Sequence, residues 1–413
     1  MTAIDEPGRA RQARPQAVWR AALSGLCAYL VGIGLARFAY TPLLPALISG
    51  HWFTESSADY LGAANLAGYL AGALLGRAMT RRQGTAWLLR AMMLVTAASL
   101  FACGIRELGF IWFFLWRFAS GYTGGAIMVL AAPAVLTQTP AARRGLVGGI
   151  IFTGVGLGIA ASGTLVPLLL RMSGLAGAWL GLGGLALVLT AIGWTGWPRE
   201  AAVQSEGQHR VSPARLAMPV RALLVEYGLN AVGLVPHMVF LVVFIARGLG
   251  RGLEAGAGYW VLYGLGAIFG PLLTGRIADR IGFRRALRAA FLLQAAAVAL
   301  LAVAAEPISL AMSSVIVGAF TPGIVPIALG RVHELVEGHD AQRRAWGYAT
   351  IAFALAQAMA AYGCSFLFER LGDYASLFAV GACALLAAFA LDMAAAAAKR
   401  LARRELRRPR ATT

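Results

Sequence analysis

Lysine is nearly missing from this chain. Lys399 is the one lysine among 36 basic residues, and arginine supplies the rest. Charge of either sign is scarce, at 13% of 413 residues, where a soluble domain carries about 25%. That deficit excludes an ordinary water-soluble fold. The net charge of +18 is scattered over short loops rather than gathered on one domain, which excludes nucleic acid as a partner. Cysteines are few and far apart: Cys27, Cys103, Cys364 and Cys383 all fall in apolar segments. They lack the close spacing of metal sites and read as small hydrophobes. No Gly-x4-Gly-Lys-Ser/Thr loop is present, so the chain does not hydrolyse ATP itself. It has no His-Glu-x-x-His, no Gly-x-Ser-x-Gly and no paired intramembrane aspartates, which excludes an intramembrane enzyme. No cofactor or metal is expected.

Apolar residues are abundant, at 59% of the chain. Runs of about 20 of them recur along its length, each able to cross a hydrocarbon core of about 30 Å. The expected fold class is an all-α polytopic membrane protein with twelve transmembrane helices. Spans are expected near 20–47, 58–79, 86–104, 109–137, 146–170, 175–197, 219–246, 255–277, 286–305, 308–331, 345–368 and 373–396. The longest hydrophilic stretch between spans, at 198–218, divides them six and six. This gives an N-terminal bundle at 1–197, a cytoplasmic linker at 198–218, a C-terminal bundle at 219–398 and a basic cytoplasmic tail at 399–413. The polar, basic first 20 residues are not a signal peptide, because the apolar run after them is long enough to be a retained span. Of the 36 Lys and Arg residues, 29 fall on the side of the chain ends and 5 on the other. Such an asymmetry places both termini in the cytoplasm and the protein in the inner membrane. The tail, rich in arginine, lies against anionic lipid.

Two basic residues lie inside spans. Arg37 stands in Gly32-Ile33-Gly34-Leu35-Ala36-Arg37-Phe38-Ala39-Tyr40-Thr41-Pro42, and Arg117 stands in span 4. A guanidinium in hydrocarbon costs about 2.5–3.5 kcal/mol on insertion, and it cannot shed its charge. Each must face a watery cavity or a fixed partner. Without acidic partners in spans 1–6, the pair reads as a site for an anion, since arginine's fork suits carboxylate or phosphate. The other reading is that each arginine bonds backbone carbonyls and shapes the core. Phe38, Tyr40 and Thr41 on span 1, with Trp116 and Tyr122 on span 4, are candidates to line the pocket of a ring-bearing anion. Span 7 carries Glu226, Asn230 and His237, which share one face at 3.6 residues per turn. That stripe is expected to face the central cavity and to carry protons, or to hold a salt bridge from Glu226 that breaks on cargo binding. Pro42, Pro45, Pro236, Pro322 and Pro326 are expected to kink spans 1, 7 and 10. Gly68, Gly72 and Gly76 are expected to let span 2 pack tightly against a neighbour.

The halves are related. Gly76-Arg77-Ala78-Met79-Thr80-Arg81 after span 2 aligns with Gly275-Arg276-Ile277-Ala278-Asp279-Arg280 after span 8, at an offset of 199. Gly121 and Gly125 fall near Gly318 and Pro322, at an offset of 197. Two similar offsets joining span n to span n+6 indicate an ancient duplication of six helices, an architecture of transporters.

Over nearly its whole length the chain resembles the major facilitator superfamily (MFS). The stretch Gly275-Arg276-Ile277-Ala278-Asp279-Arg280-Ile281-Gly282-Phe283-Arg284-Arg285 is similar to that superfamily's signature loop. In the first half, Thr80 and Gln83 replace its Asp and Gly. Arg117-x3-Gly121-x3-Gly125 resembles the span-4 motif. Gly145-x8-Gly154-x3-Gly158 resembles the span-5 motif of antiporters, with Ile159 in place of its proline. The string from Arg37 to Pro45 resembles the YbfB/YjiJ-type branch, sometimes described as sugar-efflux permeases. The resemblance implies a gating loop in which Gly275 lets helices approach and Gly282 makes the turn. Asp279 would pair with Arg280, Arg284 or a helix end, with Arg285 beside them, and latch near Arg143, Arg144 and Gly145. It also ties Arg117 to proton coupling. The function implied is secondary transport of a small organic solute, in particular an organic anion, by alternating access with proton coupling. A drug or sugar efflux permease, or a non-transporting sensor, is the alternative. The expected partners are the bilayer, a small molecule and protons, with the chain acting as a monomer.

Overall fold

The computed structural model describes residues 15–136, 138–140, 143–198 and 217–406. The expected linker at 198–218 and the end of the expected tail at 399–413 fall largely outside the described residues. Within a bilayer each backbone N–H and C=O must find a partner in the chain, and helices supply one for every residue. The described residues accordingly form helix after helix.

Twelve spans follow in order: α1 (Gln16–Ser49), α2 (Glu55–Gln83), α3 (Thr85–Ala102), α4 (Gly109–Leu136), α5 and α6 within Arg144–Ile192, and α7 (Met218–Gly248). The second half continues with α8 (Gly252–Ile281), α9 (Phe283–Val303), α10 (Pro307–Leu335), α11 (His339–Leu371) and α12 (Tyr374–Leu406). Among the described residues, ten helices are long and apolar enough to cross a membrane. The other two spans are concealed for physical reasons. α5 and α6 run on as one continuous helix broken only at Gly174 (φ 66°, ψ −168°), a conformation that favours glycine. α2 has 29 residues, enough to cross, but carries Glu55, Asp59 and Asn65 along its length. Its start is capped by Thr54, whose Oγ1 accepts from the Ser57 N–H at 3.3 Å. The start of α12 is set by Asp373. Its carboxylate accepts from the Ser376 hydroxyl at 2.7 Å and from the Ser376 and Ala375 N–H groups, which hold it below the usual carboxylate range. The outer surface is apolar: Ile111 is 74% exposed and Met359 66%, as lipid-facing side chains are.

Glycine sets the packing. Gly68 and Gly72 of α2 press against the α4 backbone at Phe118 and Tyr122, while Gly121 and Gly125 of α4 press back at Asn65 and Tyr69. The second half repeats this. Gly266 and Gly270 of α8 meet α10 at Val315 and Ala319, and Gly318 meets Tyr263. A side chain at any of these positions would force the backbones apart. The repeat also appears at the turns. Gly282 has φ 87° between α8 and α9, and Gly84 has φ 73° between α2 and α3. The first half therefore keeps the turn glycine, one residue beyond Gln83. Each half packs its helices in the same pairs, α1 on α5 and α3 on α6 matching α7 on α11 and α9 on α12. The halves meet along α2 with α11, α5 with α8, and α1 with α7.

Candidate functional site

α1 is not a plain α-helix. Leu30–Phe38 is π-helical and is followed by Tyr40–Ser49, which contains Pro42 and Pro45. Wide turns of this kind free backbone carbonyls and cluster at functional sites. The freed Ala36 carbonyl accepts from Arg117 Nη1 at 2.7 Å. Arg117 is 2% exposed, and its guanidinium lies over the Tyr40 ring at 4.1 Å. Arg117 thus serves the backbone of α1 through Nη1, while its Nε, like that of Arg37, is buried without a partner among the described residues. The Tyr40 hydroxyl donates to the Ala58 carbonyl at 2.6 Å, tying α1 to α2.

Arg37 is in a different state. It is half-buried at the seam between the halves, with Phe38 and Tyr69 at 5.3 and 5.1 Å from its guanidinium carbon. Its Nη2 approaches Met238 Sδ at 3.8 Å, and its Nε is buried without a partner among the described residues. Thr41 donates to the Met238 carbonyl at 2.6 Å. Met238 belongs to the π-helical turn Pro236–Phe240 of α7, so the irregular stretches of two corresponding spans meet. Phe38 packs on Trp260 at 6.0 Å, and Trp260 stacks on Tyr263 at 4.8 Å. Gln357 of α11 reaches the same sulfur. Sequence reasoning missed Tyr69, Met238, Trp260, Tyr263 and Gln357. They come from four other spans, and no spacing along the chain joins them.

Other expected residues lie elsewhere. The Tyr122 hydroxyl donates to Met79 Sδ at 2.7 Å, and Trp116 packs on Trp112, so neither lines this seam. Glu226, Asn230 and His237 do share a face, but it looks into the second bundle rather than into the central seam. Asn230 donates to Gln294 of α9 at 3.0 Å, and His237 pairs with Ser313 of α10 at 2.7 Å and packs on Phe378 of α12. Glu226 lines a small cavity with Arg284, Arg331 and Asp392. The interior of a six-helix bundle shelters polar groups from lipid as well as a cavity between halves does. One acid within spans 1–6 also escaped sequence reasoning. Asp59 of α2 is 1% exposed at the α2–α11 seam, and neither carboxylate oxygen has a partner among the described residues.

The gating loop departs from expectation as well. Gly282 makes the turn as expected, but among the described residues an added Cβ at Gly275 meets nothing within 4 Å. Arg284 donates from Nε to Asp392 of α12 at 3.2 Å, and Arg288 pairs with the same carboxylate. Asp279, Arg280 and Arg285 are exposed, and among the described residues Asp279 makes no ion pair with Arg280, Arg284 or Arg143. The side chain of Arg144 and the surroundings of Gly145 lie outside the described residues. Closure is instead visible at the face away from the chain ends. There Tyr374 donates to Glu55 at 2.5 Å, Tyr60 to Glu369 at 3.0 Å and Arg247 to Ser49 at 3.3 Å, and Arg171 pairs with Glu254. All four bridges join one half to the other.

Two duplicated six-helix bundles meeting around a buried polar seam define a transporter of the major facilitator superfamily. The chain belongs to the family described as "Uncharacterised MFS-type transporter YbfB", whose model matches residues 29–393. It is a multi-pass membrane transporter, not an enzyme. A crystal structure of a D-xylose-proton symporter superposes with a TM-score of 0.69 at 18% identity, over 91% of this chain and 96% of that one. At that identity the likeness shows the fold. No curated protein matches the sequence.

Proposed function

We propose that the protein carries a small organic anion across the inner membrane by alternating access, with Arg37 as the anchor and protons as the coupling ion. The observation that carries this reading is the state of Arg37. Its side chain sits half-buried between the halves, with no carboxylate paired to it among the described residues and its Nε buried and unpaired. A charge so placed is stabilised by an anion that arrives and leaves. The symporter likeness suggests a sugar instead. A neutral sugar brings no charge to meet the Arg37 guanidinium, which a carboxylate does.

For coupling, Asp59 is better placed than Glu226 or His237, because it lies on the seam that opens and closes. A carboxyl that is buried, unpaired and on a moving interface can exchange a proton each time that interface opens. Asp59→Asn is expected to abolish the response of transport to a pH gradient while leaving folded protein; an unchanged response would assign coupling elsewhere. The arginine asymmetry supports cytoplasmic termini. Each chain holds a complete seam, so the monomer is the working unit.

The test is a thermal-shift comparison of wild type and Arg37→Gln in detergent, with carboxylates, phosphates, sugars and cationic dyes. A ligand of the folded state raises its apparent stability. Organic anions should stabilise wild type and not the mutant. Sugars or cations that stabilise both alike would overturn the anion reading.

A further inference from the structure

Two strong hydrogen-bond donors converge on one weak acceptor at the seam. Arg37 Nη2, from the first half, lies 3.8 Å from Met238 Sδ, and Gln357 Nε2, from α11, lies 3.4 Å from the same sulfur. A thioether is a poor acceptor for either group. Neither donor side chain is satisfied elsewhere: Arg37 Nε and Gln357 Oε1 are buried without a partner among the described residues, and Gln357 is 1% exposed. Unsatisfied buried polar atoms are costly and rare, and here they belong to the same two side chains whose Nη2 and Nε2 converge on one sulfur, a geometry that asks for a better acceptor. Met238 is built to yield. Its backbone is pinned by Thr41, whereas its unbranched side chain has three rotatable bonds with which to repack.

We propose that the Met238 thioether is a stand-in for the carboxylate of a monoanionic cargo. On binding, a carboxylate displaces the sulfur and accepts from Arg37 and Gln357 together, so the cargo itself ties one half to the other. This rests on the organic-anion reading and narrows it. Among the described residues at this seam, Arg37 is the guanidinium held by nothing stronger than a thioether, because Arg117 is engaged by the Ala36 carbonyl and the Tyr40 ring. One charge matches a monocarboxylate, while a phosphate dianion brings a second charge with no partner. Gln357 Oε1 then accepts from a hydroxyl or amine of the cargo, and Phe38, Tyr69 and Trp260 pack its apolar body.

The experiment uses the full-length protein in detergent and titrates its thermal stabilisation by phenylacetate, mandelate, phenyl phosphate and benzyl alcohol. Phenylacetate and mandelate should bind, mandelate more tightly through its hydroxyl, and benzyl alcohol should not. Gln357→Leu should weaken mandelate about fivefold, the worth of one net hydrogen bond, and erase its advantage over phenylacetate. Met238→Leu removes the competing sulfur at similar volume and should tighten both carboxylates by about the same factor. Gln357→Glu, a second variant in case the leucine misfolds, places an internal anion beside Arg37 and should abolish binding. Wild-type affinities in the Gln357 and Met238 variants, with binding lost in Arg37→Gln, would overturn the clasp and leave the anion anchor standing. Unchanged affinity in Arg37→Gln, or no carboxylate stabilising wild type, would overturn both.

Discussion

Arg37 and Arg117 look alike in the sequence, each a guanidinium inside an apolar span, and the fold gives them opposite fates. Arg117 is spent on a carbonyl that the π-helical turn of α1 sets free, while Arg37 is left facing the seam. The sequence could announce the charge of each but not its partner, because the partner is a backbone atom exposed by an irregular turn. The difference is measurable. Arg117→Ala should lower unfolding stability by about 2 kcal/mol, through an unsatisfied buried carbonyl and a lost ring contact, and should leave anion-dependent stabilisation intact. Unaltered stability with anion binding abolished would make Arg117 the cargo group instead. Asp59 shows the limit of reading one span at a time. It sits near the start of the most polar span, where an acid reads as a helix-end residue, and only the packing of α11 against α2 buries it.

At the scale of the helix, the twelve spans were legible because lipid demands length and apolarity of every one. The duplication was legible too, since Gly121 and Gly318 occupy matching contacts in the two halves. Which glycines matter was less so. Gly275 stands in a recognisable motif yet meets nothing among the described residues, whereas Gly270 lies against Ala319 of α10. Gly121→Val should therefore deplete folded protein in the membrane, since its Cβ would strike the Asn65 carbonyl, and Gly275→Val should express at the wild-type level. Equal yields would refute the packing scheme. The polar residues of α7 look into the second bundle, where spacing alone leads one to expect the central cavity. Periodicity tells which residues of a helix go together, and the neighbouring helices alone decide what they look at. His237 with Ser313 and Asn230 with Gln294 are the outcome.

For the whole molecule, closure at the face away from the termini and a charge held at the middle of the seam belong together. The four bridges around Glu55, Glu254, Glu369 and Arg247 join the halves at one end. Arg37, Met238 and Gln357 meet deeper, where cargo would contact both bundles at once. The family and the fold establish a transporter, and the proposed anion rests on the Arg37 guanidinium, whose one hydrogen-bond partner among the described residues is a thioether. The direct test is flux. Proteoliposomes holding wild type or Arg37→Gln, loaded with unlabelled mandelate, are given labelled mandelate outside, and counterflow is read above protein-free vesicles. Accumulation by wild type and none by Arg37→Gln is the predicted result. Equal accumulation by both, or counterflow of a pentose that the substitution leaves untouched, would contradict it.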